Sequence, residues 1–174
     1  MKQPNLLVVL SDQHGGPFVG AAGHPVVRTP VMDRLAGEGV TFDHAYCHSP
    51  LCVPSRSAFV TGKALQRLGV WDNGAVLPSE ERTIGHRLSE AGYEAVLSGR
   101  MHFNGADKTH GFDRQIADDP DANHTIPDWE AGGKVVGHPF TSLPAEPGKG
   151  IAKDDAAEAA AIAFLEQRRE GANP

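Results

Sequence analysis

Cysteines, aromatic residues and long apolar runs are all scarce in this sequence, and each scarcity removes a class of protein. Two cysteines among 174 residues do not make a disulfide scaffold, and a chain of this length needs none to bury a core. Those two, Cys47 and Cys52, stand close together with a loop predicted between them, and a bridge is not expected in a reducing compartment. Zinc would want further thiols or a spaced histidine pair. The 9 histidines (His14, His24, His44, His48, His86, His102, His110, His124 and His138) are scattered, and most read as surface or loop residues.

The longest apolar run, Leu6-Leu7-Val8-Val9-Leu10, is too short to cross a bilayer. Met1-Lys2-Gln3-Pro4 leads into it with no extended h-region and no small-residue cleavage site, so the expected location is the cytoplasm, with no membrane partner. Charge of one sign is nowhere concentrated: 16 Lys and Arg and 22 Asp and Glu are mixed along the chain, for a formal net charge of −6. A nucleic-acid partner is not expected from such a pattern. There is no internal repeat and no low-complexity tract.

What the sequence does have is Ser49-Pro50-Leu51-Cys52-Val53-Pro54-Ser55-Arg56-Ser57, closed by Thr61-Gly62-Lys63. A cysteine directly ahead of a helix start, with Pro54 at the first helical position and Arg56 one turn in, places a nucleophile at an anion site. Free N–H groups and the macrodipole favour negative charge there, and a guanidinium can grip an oxyanion bidentately.

Around this stretch the chain alternates elements. Asn5-Leu6-Leu7-Val8-Val9-Leu10 predicts a strand buried on both faces of a parallel sheet, ending in the polar turn Ser11-Asp12-Gln13-His14-Gly15-Gly16. Thr29-Pro30 predicts a helix start, with a stop at Gly37 or Gly39. Val40-Thr41-Phe42 opens a second extended segment toward Ala45-Tyr46, and the helix from Pro54 to about Val60 is capped by Gly62. Residues 65–77 lack periodicity and read as irregular, with a turn at Trp71-Asp72-Asn73-Gly74.

Thr83 caps a helix over residues 84–91, Gly92 ends it, and residues 94–98 form the next strand, with Gly99-Arg100-Met101-His102-Phe103 at its carboxyl end. Residues 104–150 read as a long loop excursion, and residues 154–169 as a strong helix with acids first and arginines last. This order predicts one α/β domain, a mostly parallel sheet sandwiched by helices, with Asp12 and Gln13, Cys52 and Arg56, and Arg100 and His102 gathered where ligands collect, outside strand carboxyl ends.

Cys-x-Pro-Ser-Arg followed by Thr-Gly resembles the sulfatase signature. The resemblance extends through Leu10-Ser11-Asp12-Gln13, Gly23-His24-Pro25-Val26-Val27-Arg28-Thr29-Pro30, residues 42–52, Asp72-Asn73 and Ser98-Gly99-Arg100-Met101-His102-Phe103. The chain is similar to the N-terminal part of a sulfatase of the alkaline-phosphatase-like superfamily, in the branch of choline-sulfatase-like enzymes and phosphonate monoester hydrolases.

That resemblance implies hydrolysis of sulfate esters, with Cys52 converted by a formylglycine-generating enzyme to formylglycine, whose hydrate attacks sulfur. It implies Asp12, Gln13 and residue 52 as ligands of a divalent cation, Ca²⁺ first with Mg²⁺ or Mn²⁺ as alternatives, since hard oxygen donors suit such ions. Arg56 would orient the nucleophile, His102 would act on it as acid or base, and Arg100, where the family has a lysine, would contact sulfate with Asn73 beside it. Asp128-Trp129 resembles a feature of choline sulfatases, whose indole could face a quaternary ammonium. The family's further metal ligands and a second lysine have no counterpart here, so the chain is expected to be an N-terminal portion active only in a full-length context or with a complementing chain, an oligomer being a further option. Phosphonate or phosphodiester hydrolysis on the same site, and a non-catalytic anion-binding module, are the alternatives.

Overall fold

The computed structural model describes residues 3–117 and 151–168. They fall into two compact units, Pro4–Cys47 and a second made of Met1–Gln3 with His48–Pro174.

In the first unit a 3₁₀ turn at Gly20–Ala22 precedes helix α1, Pro30–Glu38. The helix begins where Thr29-Pro30 predicts, because proline's fixed φ suits the first helical position. Gly39 ends it, donating its N–H to the Leu35 carbonyl. The two pieces are sewn together by polar groups. Thr29 Oγ1 accepts the Gly20 N–H at 2.8 Å and donates to Asp33 Oδ1 at 2.7 Å. Asp33 Oδ1 also accepts the Ala21 N–H at 2.7 Å.

No residue of this unit is buried. The expected strand over residues 5–10 is absent, and its apolar side chains from Leu6 to Leu10 are 48–85% exposed. The segment expected from Val40 to Tyr46 is likewise without ladder bonds, with Val40, Phe42 and Tyr46 exposed. The physical reason is shared. A strand buried on both faces takes its hydrogen bonds and its cover from neighbouring strands, and among the described residues the only ladder joins two strands of the second unit.

The second unit carries the core. Helices α2 (Cys52–Thr61), α3 (Leu65–Leu68) and α4 (Ile84–Glu90) precede strands β1 (Val96–Ser98) and β2 (Arg114–Ala117), and α5 (Ile151–Arg168) follows. β1 and β2 pair in parallel, Val96 opposite Arg114 and Leu97 opposite Gln115, with an irregularity before Ser98 meets Ala117. α5 packs on both strands, and Ser98 Oγ donates to the Ala157 carbonyl at 2.7 Å. Val53, Ala58 and Val60 of α2, Leu65 and Leu68 of α3, and Val70, Leu77, Leu97 and Phe103 form one apolar cluster. The signature helix is thus part of the core, and its first turn is held as firmly as the core holds it.

Three expectations are corrected in this unit. α2 begins at Cys52, not at Pro54, so the cysteine is the first helical residue instead of the one before it. Proline is tolerated two positions later because first-turn N–H groups have no intrahelical partner to lose. Residues 65–77 include the short helix α3, which Gly69 closes in the left-handed conformation. The 104–150 excursion contains β2, a strand with little β-branched character that exists through its pairing to β1. His110 lies in a turn, in keeping with the expectation of loop or surface positions for most histidines, but it is completely buried. α4 follows its prediction, with Thr83 and His86 forming a reciprocal cap. The Asp128-Trp129 feature lies outside the described residues.

Candidate active site

The Cys52 thiol is free and half-buried at the first position of α2. The residue before it, Leu51, has no side chain able to cap a helix, so the first-turn donors need partners from elsewhere. Ser49 Oγ accepts the Leu51 N–H at 3.1 Å. Asn73, from the turn after α3, accepts the Val53 N–H on its Oδ1 at 3.0 Å. A side chain distant in sequence therefore fixes the backbone adjoining the thiol.

The loop leaving β1 supplies the cations. Arg100 Nη2 reaches Cys52 Sγ at 3.6 Å and lies 3.4 Å from His102 Nδ1. Arg56, on the inner face of α2 and 5% exposed, donates from Nη1 to the Arg100 carbonyl at 2.6 Å. Its guanidinium thus holds the loop that carries the second guanidinium, and the Arg100 charge stands beside the thiol. A permanently protonated guanidinium can only donate. His102 Nδ1 is then the acceptor, which puts the proton of the neutral ring on Nε2.

His102 has φ +56°, a left-handed backbone for a non-glycine residue, and its side chain is buried. Such a conformation persists only where the surroundings impose it. The next residues show how they do so: Phe103 enters the core, and Asn104 Nδ2 donates to the carbonyls of Asn73 and Ala75 at 2.8 and 2.9 Å. Beneath Phe103 the His110 ring packs edge-on at 4.5 Å. Thr83 Oγ1 donates to the His110 carbonyl at 2.5 Å, and Asp107 Oδ1 accepts its N–H at 2.8 Å. Burial pushes the His110 imidazole down, against the pull of the Asp107 carboxylate. Desolvation works to raise Asp107, but the N–H groups of His110 and Thr109 and the field of His110 bring it below the usual carboxylate value.

Of the residues predicted for the site, Cys52, Arg56, Arg100, His102 and Asn73 are brought together in the second unit. Asp12 and Gln13 lie exposed in the first unit, at the end of the extended segment, where Gln13 has φ +49°. Among the described residues no three His, Cys, Asp or Glu side chains converge on one point. The residues present therefore do not by themselves make a cation centre, and no chemical step is derived through one. Sequence reasoning missed Asn104 and His110. The signal for His110 was the adjoining Gly111, at φ +85°, where a Cβ would stand 2.2 Å from His86 Nδ1.

The profile of the family described as Sulfatase matches residues 4–170. Choline-sulfatase of Rhizobium meliloti is 33% identical over 153 residues, covering 87% of this chain and 30% of that protein. N-acetylglucosamine-6-O-sulfatase of Bacteroides thetaiotaomicron is 31% identical over 171 residues, covering 96% and 28%. A structure solved in complex with its substrate D-glucosamine-2-N,6-O-disulfate superposes with a TM-score of 0.64 at 30% identity, over 70% of this chain and 24% of that one. The phosphonate monoester hydrolase of Agrobacterium radiobacter superposes with a TM-score of 0.69 over 99% of this chain and 39% of that one; at 24% identity the likeness is one of fold. The chain spans 28–30% of the length of the two curated relatives.

Proposed function

This chain belongs to the sulfatase family and has its alkaline-phosphatase-like α/β fold, and on that premise we propose that it is the nucleophile-bearing N-terminal portion of a sulfate ester hydrolase. The observation that carries the proposal is the placing of Cys52 at the head of α2, with the Arg100 guanidinium 3.6 Å from its sulfur and His102 next in line. Sulfatases work with a metal ion and with formylglycine. Formylglycine at position 52, made by a formylglycine-generating enzyme, would supply a hydrated aldehyde as nucleophile and release sulfate by re-forming its carbonyl.

The remaining steps belong to side chains in hand. Arg100 receives a sulfuryl oxygen, and Arg56 keeps Arg100 in place while adding its charge. His102 holds or gives up the proton at Nε2. Asn73, with Oδ1 committed to Val53, offers Nδ2 to a second sulfuryl oxygen. A divalent cation, Ca²⁺ before Mg²⁺ or Mn²⁺, would be held by Asp12, Gln13 and an oxygen at position 52 together with further ligands. A full-length context, a complementing chain or an oligomer would bring those ligands. No helix among the described residues is long and apolar enough to cross a membrane, and we place the protein in the cytoplasm with a small-molecule sulfate ester as substrate.

Coexpression with a formylglycine-generating enzyme, followed by mass analysis of the Cys52 peptide and assay on an aryl sulfate, tests the reading. Conversion with turnover supports it. No turnover, even with an aldehyde installed at position 52, leaves an anion-binding module instead. Matched sulfate and phosphonate esters then separate the family's two chemistries.

A further inference from the structure

We propose that Asn104 is a positioning residue that locks the His102 loop to the start of the Cys52 helix. The inference rests on the reading of Cys52 and His102 as the reacting side chains. Asn104 is 4% exposed, and its Nδ2 donates to two carbonyls, those of Asn73 and Ala75. Two carbonyls facing a single amide atom fix its orientation, since the flipped amide would set oxygen against oxygen. Oδ1 is left buried, with no hydrogen-bond partner among the described residues. Burying an unpaired acceptor is unfavourable. An apolar residue would avoid that penalty, so what asparagine contributes here is the pair of directed bonds.

Those bonds join three segments. Asn104 follows the left-handed His102 by two positions, so its anchoring restrains the strained loop. At the other end it grips the backbone of Asn73, whose own side chain takes the Val53 N–H beside Cys52. A shift of the turn at residues 73–75 would therefore move the helix cap and the histidine loop together. The Asn104 hydrogen bonds go to the 73–75 turn rather than to either reacting group, and Asn104 sets their separation through Asn73.

The test is amide hydrogen exchange by NMR on the full ¹⁵N-labelled chain, comparing the native protein with Asn104→Asp and Asn104→Ala. Val53 should exchange roughly tenfold faster in both variants, the loss expected for one backbone hydrogen bond, and the His102 ring resonances should shift. Ala91, bonded within α4, should keep its rate. In an Asn73→Ala background Val53 is already unprotected, and Asn104→Asp should add nothing. Unchanged Val53 exchange overturns the proposal. So does equal acceleration at Val53 and Ala91, which is general destabilisation, and so does an undiminished Asn104→Asp effect without the Asn73 side chain. Where Asn104→Asp does not fold, Asn104→Ala carries the same comparison. Exchange needs no turnover, so the lock can fail while the hydrolase reading stands, and the hydrolase reading can fail while the lock stands.

Discussion

The unit Pro4–Cys47 is held by the ties among Thr29, Asp33, Gly20 and Ala21, whereas the unit containing α2 is held by an apolar cluster running from Val53 to Phe103. Both carry residues expected at the site. In the second unit burial places them: Arg56 and His102 are enclosed, Arg56 holding the Arg100 carbonyl and His102 facing the Arg100 guanidinium that reaches Cys52. In the first unit Asp12 and Gln13 end a segment that nothing in its own unit covers. A strand gains stability only from the strands beside it, while a helix with a core face gains it from local bonds and one packed side. The same contrast predicts how the two units respond to substitution.

The largest difference is expected between two left-handed glycines. Gly111→Ala puts a Cβ onto the His86 ring as well as into an unfavourable φ, for a loss of about 4 kcal/mol. Gly23 has φ +83° with nothing within 4 Å, so Gly23→Ala should cost about 1 kcal/mol. Urea denaturation of both variants measures the gap, and similar losses would erase the contrast.

Next in size is the core itself. Leu77→Ala, at a side chain 1% exposed, should lower stability by about 3 kcal/mol. Leu7→Ala, at one 72% exposed, should stay within about 0.5 kcal/mol. A large loss from Leu7→Ala would mean that residues 5–10 are covered after all.

The third prediction concerns pH. His110 titrates below its unfolded value of 6.5, so the unfolded chain takes up the proton first and folding weakens as pH falls through about 6.5. Asp107, lowered from 3.8, contributes stability that is present above that value and lost at more acid pH. Melting curves between pH 8 and pH 5, buffer values chosen to bracket an ordinary histidine at roughly 6.5, should show the decline, and His110→Gln should flatten it. An unflattened curve would assign the slope elsewhere. The last prediction concerns Asp33→Ala, which removes two hydrogen bonds of a partly exposed network and should cost about 1 kcal/mol. Its melting transition should soften while the amide signals of α2 stay in place.

The sequence showed most plainly what is set locally. Thr29-Pro30, Thr83 and Gly62 each mark a helix end through groups within one turn. The neighbourhood of Cys52 was readable because Cys52 and Arg56 share one helix, and Arg100 and His102 one loop. What depends on pairing across distance was not readable. Residues 5–10 have a strand's composition without a partner among the described residues, and β2 has a partner without much of a strand's composition. The task of Asn104 was invisible for the same reason, since the carbonyls it grips belong to a turn that no spacing rule connects to it.

The uncovered row from Leu6 to Leu10 has a further consequence, for the life of the protein in solution. A short, strand-prone stretch with neither charge nor proline is the kind that stacks against copies of itself, and here it stands open to solvent. Solubility should therefore depend on concentration far more than on the net charge. A single lysine or glutamate placed in the middle of the row, acting as a gatekeeper against fibrous aggregates, should extend the working concentration without touching Cys52.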